Sequence, residues 1–151
     1  MEIYKGIATF SGIAIGKVLY YSRGEYQIRQ CLVSNIKKEI SDFQEARLQA
    51  VHKLHELYEA SRLLNEQEAH VFLRQIKLLE SESYQNAIEG SIAHEKVNAA
   101  YAVMINRDEL VETFRNLEEP VIRRRINDMQ EISNRLIQIL GGAAIRINLG
   151  D

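Results

Sequence analysis

At 151 residues the chain has room for one domain, or for one and part of a second, and its 46% apolar and 26% charged composition is that of a globular protein. A formal net charge of −2 argues against a nucleic-acid partner, which calls for a basic face, and the one triple basic run, Arg123-Arg124-Arg125, reads as a solvated helix face. A single cysteine excludes an internal disulfide, and no signal peptide or membrane-length apolar run occurs, so the expected location is the cytosol with no membrane contact.

In chain order, Gly6 to Tyr20 is rich in β-branched and aromatic residues and predicts a strand, bent or closely approached at Gly6, Gly12 and Gly16. It is not a phosphate-binding loop, because Gly16-Lys17 is followed by Val18-Leu19-Tyr20 rather than by a hydroxyl residue opening a helix. Gly24 marks a turn, and Tyr26 to Val33 predicts a second short strand or an extended link; Cys31, beside Leu32 and Val33, reads as a small buried hydrophobe. From Ser34 to Leu140 the pattern is helical almost throughout.

Ser34 is the expected N-cap of a first helix reaching about Asn65, roughly 45–50 Å long at ~1.5 Å per residue. Its stripe is Ile36, Ile40, Phe43, Ala50, Leu54 and Leu57, with Arg47 interrupting, a heptad-like seam suited to lengthwise packing. A second helix follows from about Glu66 to Leu79, with Ala69, Phe72, Leu73, Ile76 and Leu79 inward. Ser81 or Ser83 then caps a short third helix ending near His94. Asn98 caps a fourth, whose stripe is Tyr101, Met104, Ile105, Val111 and Phe114. Pro120 opens a fifth, with Val121, Ile122, Ile126, Met129, Ile132, Leu136 and Ile139 inward, and Gly141 suits the left-handed position past its end. Residues 143–149 predict the start of another strand.

Chemistry is sparse. A di-iron bundle needs Glu-x-x-His on two helices, but the residues three before His52, His55, His70 and His94 are Gln49, His52, Gln67 and Ser91. His52 and His55 share a helix face with Glu56 and Glu59 nearby, and surface histidines are the reading these residues support best. There is no nucleophile elbow or dinucleotide fingerprint, and nothing assigns acid–base roles to Glu118 and Glu119. No catalytic residue, metal ligand or cofactor is assigned.

The ordered set of segments resembles a known family. Gly6-Ile7-Ala8-Thr9-Phe10-Ser11-Gly12-Ile13-Ala14-Ile15-Gly16 is similar to the first strand of enzyme I of the bacterial phosphoenolpyruvate:sugar phosphotransferase system, usually G-I-x-A-S-P-G-I-A-x-G, with Phe10 and Ser11 in place of the serine and proline. Glu68 to Glu82 resembles its E-A-x-I-F-x-x-H-x-x-L-L-x-D-x-E stretch, and Asn98 to Val103 its next helix start. Arg125, Asp128, Ile132 and Arg135-Leu136 follow its R-x-x-D-x-x-x-I-x-x-R-L pattern.

The resemblance implies a mainly α fold, an antiparallel helical bundle inserted into an incomplete α/β domain of the swivelling phosphohistidine type. Residues 1–33 would carry the first strands of that domain, 34–140 the insert that docks the phosphocarrier HPr, and 141–151 the return. The family's phosphohistidine sits in a later G-G-x-T-S-H motif, followed by a barrel that binds phosphoenolpyruvate and Mg²⁺. Gly141-Gly142-Ala143-Ala144-Ile145 is not that motif, so this chain is not expected to transfer phosphate by itself.

The implied docking residues are Glu66, Gln75, Lys77, Leu78, Glu80 and Glu82, with Arg125 from the last helix. HPr proteins surround their histidine with basic residues and an apolar patch, which carboxylates would steer and leucines would anchor. Gln75 replaces the family's histidine, Lys77 a usually apolar residue, and Ser81 and Ser83 positions that are often acidic, departures expected to weaken or redirect the interaction. The alternatives are a stand-alone interaction module without phosphotransfer, and a coiled-coil oligomerisation protein built on the first helix. A homodimer paired through residues 3–20 or 143–149 is also an expectation, because a strand without its sheet exposes an edge.

Overall fold

The computed structural model describes residues 30–145, with side-chain surroundings through Gly141. The strands expected before position 30, and residues 146–149 of the last one, lie outside the described residues. Five helices follow one another: α1 (Ile36–Arg62), α2 (Glu66–Glu80), α3 (Glu82–Glu95), α4 (Ala99–Phe114) and α5 (Pro120–Ile145). The mainly α bundle is the architecture expected from the sequence.

The ends of α1 and the start of α2 have local causes. Asn35, not Ser34, caps α1, its side-chain oxygen accepting from the Lys38 amide at 3.0 Å. The helix stops at Arg62 because Leu64 and Asn65 both turn back to the Ser61 carbonyl, and extended Asn65 caps α2 by accepting from the Gln67 and Glu68 amides. Ser81, with ψ 125°, separates α2 from α3; its hydroxyl bonds that of Ser83 at 2.9 Å instead of capping the helix.

The start of α4 is secured from a distance. Asn98 stands at the cap position, but its side chain accepts from the Cys31 amide at 3.0 Å. The Ala99 amide is instead satisfied by Glu39 Oε2 of α1 at 2.9 Å. Lys96 occupies the left-handed region (φ 54°, ψ 44°), a conformation costing a non-glycine residue about 1–2 kcal/mol. The turn it makes lets the Val33 amide donate to the Lys96 carbonyl at 2.9 Å and sets Leu32 opposite Val97 in an antiparallel bridge. Val97 gains burial there, whereas Cys31 is exposed, contrary to its expected burial.

The core draws on all five helices: Phe43, Ala46, Ala50 and Leu54 of α1, Ile76 and Leu79 of α2, Ile88 and Ile92 of α3, Ala102 and Val103 of α4, and Met129, Ile132 and Leu136 of α5. The α1 seam runs through Ala46 rather than Arg47, whose side chain turns aside to Gln44 at 2.8 Å. The chain's own helices cover that seam, so Phe43, Ala46, Ala50 and Leu54 are not available to pair with another copy. On α4 the buried residues are Ala99, Ala102 and Val103, while all five residues of the expected stripe are only half-buried. Small side chains there permit close helix approach, and the larger ones fill the flanks.

Gly141 and Gly142 do not end α5; the helix continues through Ile145, and no described glycine has a positive φ. A helix can carry glycine at about 1 kcal/mol per residue when packing upstream holds it. Ala143 to Ile145 are therefore helical, not the beginning of a strand. Val121, expected inward, is 67% exposed.

Two hydroxyls are sealed in the core. Tyr84 Oη of α3 and Ser133 Oγ of α5 have no hydrogen-bond partner among the described residues. Burial raises the Tyr84 phenol well above its usual range; Ser133 opposes this in part without meeting hydrogen-bond geometry. The folded chain therefore keeps this proton above the unfolded phenol's pKa of about 10, and stability complete below that pH should decline above it. Tyr84→Phe should be neutral or stabilising by up to about 1 kcal/mol, since it removes an unsatisfied group. It should also reduce the loss of stability between about pH 9 and about pH 11; urea midpoints at both pH values test this, and an unchanged pH dependence would refute it.

Candidate functional site

The residues expected to dock a partner fall into two groups. Lys77, Glu80 and Glu82 are exposed where α2 turns into α3, with Leu78 half-buried beside them against the core. Glu66 is exposed in the first turn of α2, about 20 Å from Glu80 along the helix at ~1.5 Å per residue. Glu66 and Glu68 complement the positive end of the α2 dipole. Next to them Leu63 and Leu64 are 81% and 91% exposed.

Gln75 differs from its expected role. Only 5% of it is exposed, because it precedes Ile76 and stands one turn before Leu79 on the flank of α2 that packs inward. A partner reaching α2 from solvent meets Arg74, Lys77 and Leu78, which share a face at helical spacing, before it meets Gln75.

The link between α2 and α5 is an ion pair that sequence reasoning did not identify. Arg74 Nε donates to Asp128 Oδ2 at 3.0 Å across 54 residues of chain. Asp128 is 8% exposed, yet it carries a charge-compensating partner. Arg125 stands three residues before Asp128, on the same side of α5, and is exposed. The Arg-x-x-Asp pattern on α5 was visible as a sequence signal; the partner on α2 was not.

The histidines offer no assembled centre. His52, His55, His70 and His94 are exposed, and His52 Nε2 lies 3.4 Å from Glu56 Oε1 on the same helix. Among the described residues no group of three His, Cys, Asp or Glu side chains is placed to hold a metal ion, and no helix is long and apolar enough to cross a membrane. Acids and a half-buried leucine thus lie together at the α2–α3 turn, and a basic residue, Arg125, is exposed on α5.

Comparison with known proteins agrees with that architecture. The profile of the family described as PEP-utilising enzyme, N-terminal, matches residues 5–125. The phosphoenolpyruvate-protein phosphotransferase of Haemophilus influenzae is 29% identical over 149 residues, covering 97% of this chain and 26% of the relative. That of Mycoplasma capricolum is 27% identical over 142 residues, covering 93% and 25%, and that of Bacillus subtilis 25% identical over 146 residues, covering 96% and 26%. The chain thus spans about a quarter of the length of these relatives. An NMR solution structure of an Enzyme I protein superposes with a TM-score of 0.71 at 20% identity, over 76% of this chain and 47% of that one, which shows a shared fold. Because the family profile runs through most of the sequence and into the first turns of α5, this chain belongs to the N-terminal family of PEP-utilising enzymes.

Proposed function

We propose that the bundle is a docking module for an HPr-like phosphocarrier, acting as part of a cytosolic phosphoenolpyruvate-protein phosphotransferase. The observation that carries this reading is the surface formed by Leu78, Glu80 and Glu82 at the α2–α3 turn, an apolar anchor flanked by acids, in a chain of this family. Carboxylates raise the encounter rate with a basic face, and a leucine that loses its remaining solvent contact supplies affinity. Arg125 orients the partner from α5. Lys77 opposes a basic partner and is the specificity residue of this surface. Docking is the role proposed for the described residues, and no phosphoryl-transfer step is assigned to them.

A titration of isotope-labelled HPr with the chain tests the reading. Amide shifts should cluster around the HPr histidine, diminish with salt, and weaken at least tenfold on Glu80→Lys with Glu82→Lys. Lys77→Glu should strengthen them. An unchanged HPr spectrum at millimolar chain would reject HPr docking and leave the alternative, an interaction module for another partner, which the exposed Leu63 and Leu64 at the α1–α2 turn favour.

A further inference from the structure

α1 and α5 enclose a second feature, remote in sequence from the proposed docking surface. A cleft of about 400 Å³, open to solvent, runs between them, lined by Gln49, His52 and Lys53 on α1 and by Arg135, Gln138 and Ile139 on α5. Among the described residues no carboxylate lines it, and each polar lining side chain can donate a hydrogen bond.

Arg135 is the unusual member. It is half-buried, and its Nε is closed off from solvent with no acceptor among the described residues. The other half-buried arginines have partners: Arg47 donates to Gln44, and Arg107 to Asp108 and Asn134. One guanidinium N–H closed off from water without an acceptor is unfavourable, and an anion held against the rest of the half-buried group compensates its charge. Lys53, also on the cleft, is held by Glu56 at 3.0 Å, and His52 by the same carboxylate at 3.4 Å. Those pairs are exposed, with Glu56 52% accessible, so they are weak enough for an incoming anion to compete for both donors.

We propose that the α1–α5 cleft binds a small phosphate-bearing anion, held by the Arg135 guanidinium and the Lys53 ammonium and oriented by the amides of Gln49 and Gln138. The planar guanidinium suits two oxygens of one phosphate, and the ammonium supplies a second point charge. Ile139 closes the wall beside the site without offering an acceptor. The volume admits inorganic phosphate or the phosphate end of a small metabolite.

The experiment is a titration of the full isotope-labelled chain with inorganic phosphate, and separately with glycerol phosphate, at constant ionic strength with chloride as the control anion. Saturable shifts confined to the cleft, with the Gln49 and Gln138 side-chain amides among them, are expected. Lys53→Gln, on an exposed position that leaves the core intact, should weaken binding at least fivefold, and Arg135→Gln at least tenfold. Tighter binding of glycerol phosphate would identify a metabolite site, and equal binding a site for free phosphate; either supports the cleft. Shifts that rise linearly and match those of chloride, or saturable binding that both substitutions leave unchanged, would overturn it.

Discussion

Leu79→Ala should cost about 2–5 kcal/mol of stability, whereas Leu78→Ala, one position earlier, should cost less than half as much. Leu79 is 0% exposed within the cluster that joins all five helices, so truncating it leaves a cavity that the surrounding helices can close only partly. Leu78 is only partly buried, and water or a neighbouring side chain can fill its place. For a chain of this size the Leu79 effect corresponds to a fall in melting temperature of about 5–15 °C. Thermal and urea denaturation of the two variants measure the difference directly; equal losses would show that both leucines belong to the core. At the proposed docking surface, Leu78→Ala should weaken an HPr-type partner while leaving the bundle folded, which a titration with labelled HPr checks.

Breaking the α2–α5 ion pair from its two sides should give unequal results. Asp128 has an 11% accessible side chain and Arg74 a 44% accessible one. Arg74→Ala leaves a carboxylate in the helix interface without its cation, and should cost about 2–4 kcal/mol, at or below the range for fully buried pairs because Arg74 is partly solvated. Asp128→Ala leaves a guanidinium that can turn into water, and should cost about 1 kcal/mol. Urea denaturation at neutral pH tests the asymmetry; equal losses, or a larger one for Asp128→Ala, would refute it. Since the pair ties α2 to α5, Arg74→Ala should also move the amide resonances of Leu78 and Arg125 while Glu66, at the far end of α2, stays in place.

The expectations that held were those set by short-range chemistry. Asn65 and Pro120 mark helix boundaries because cap geometry and a missing amide proton act within one turn; Ser81 and Asn98 also stand at boundaries, but neither side chain caps its helix, contrary to expectation. The ordered family segments likewise survive as the order of the helices. Errors arose where two remote segments meet. Gln75 is polar and matches a docking position of the family pattern, yet α2 packs on both α1 and α5 and turns that flank inward. Gly141 matched a helix stop, yet α5 passes through it.

Sequence alone determined that five amphipathic helices form, roughly where each begins, and which family they belong to, since periodicity, caps and ordered motifs are properties of neighbouring residues. Tertiary structure alone decided that Glu39 caps α4, that Arg74 pairs with Asp128, and that Arg135, its Nε without an acceptor among the described residues, lines the same cleft as Lys53. Those outcomes depend on which side chains of separate helices come within about 3 Å of each other, a distance set by how the helices cross and not by the order of residues along any one of them.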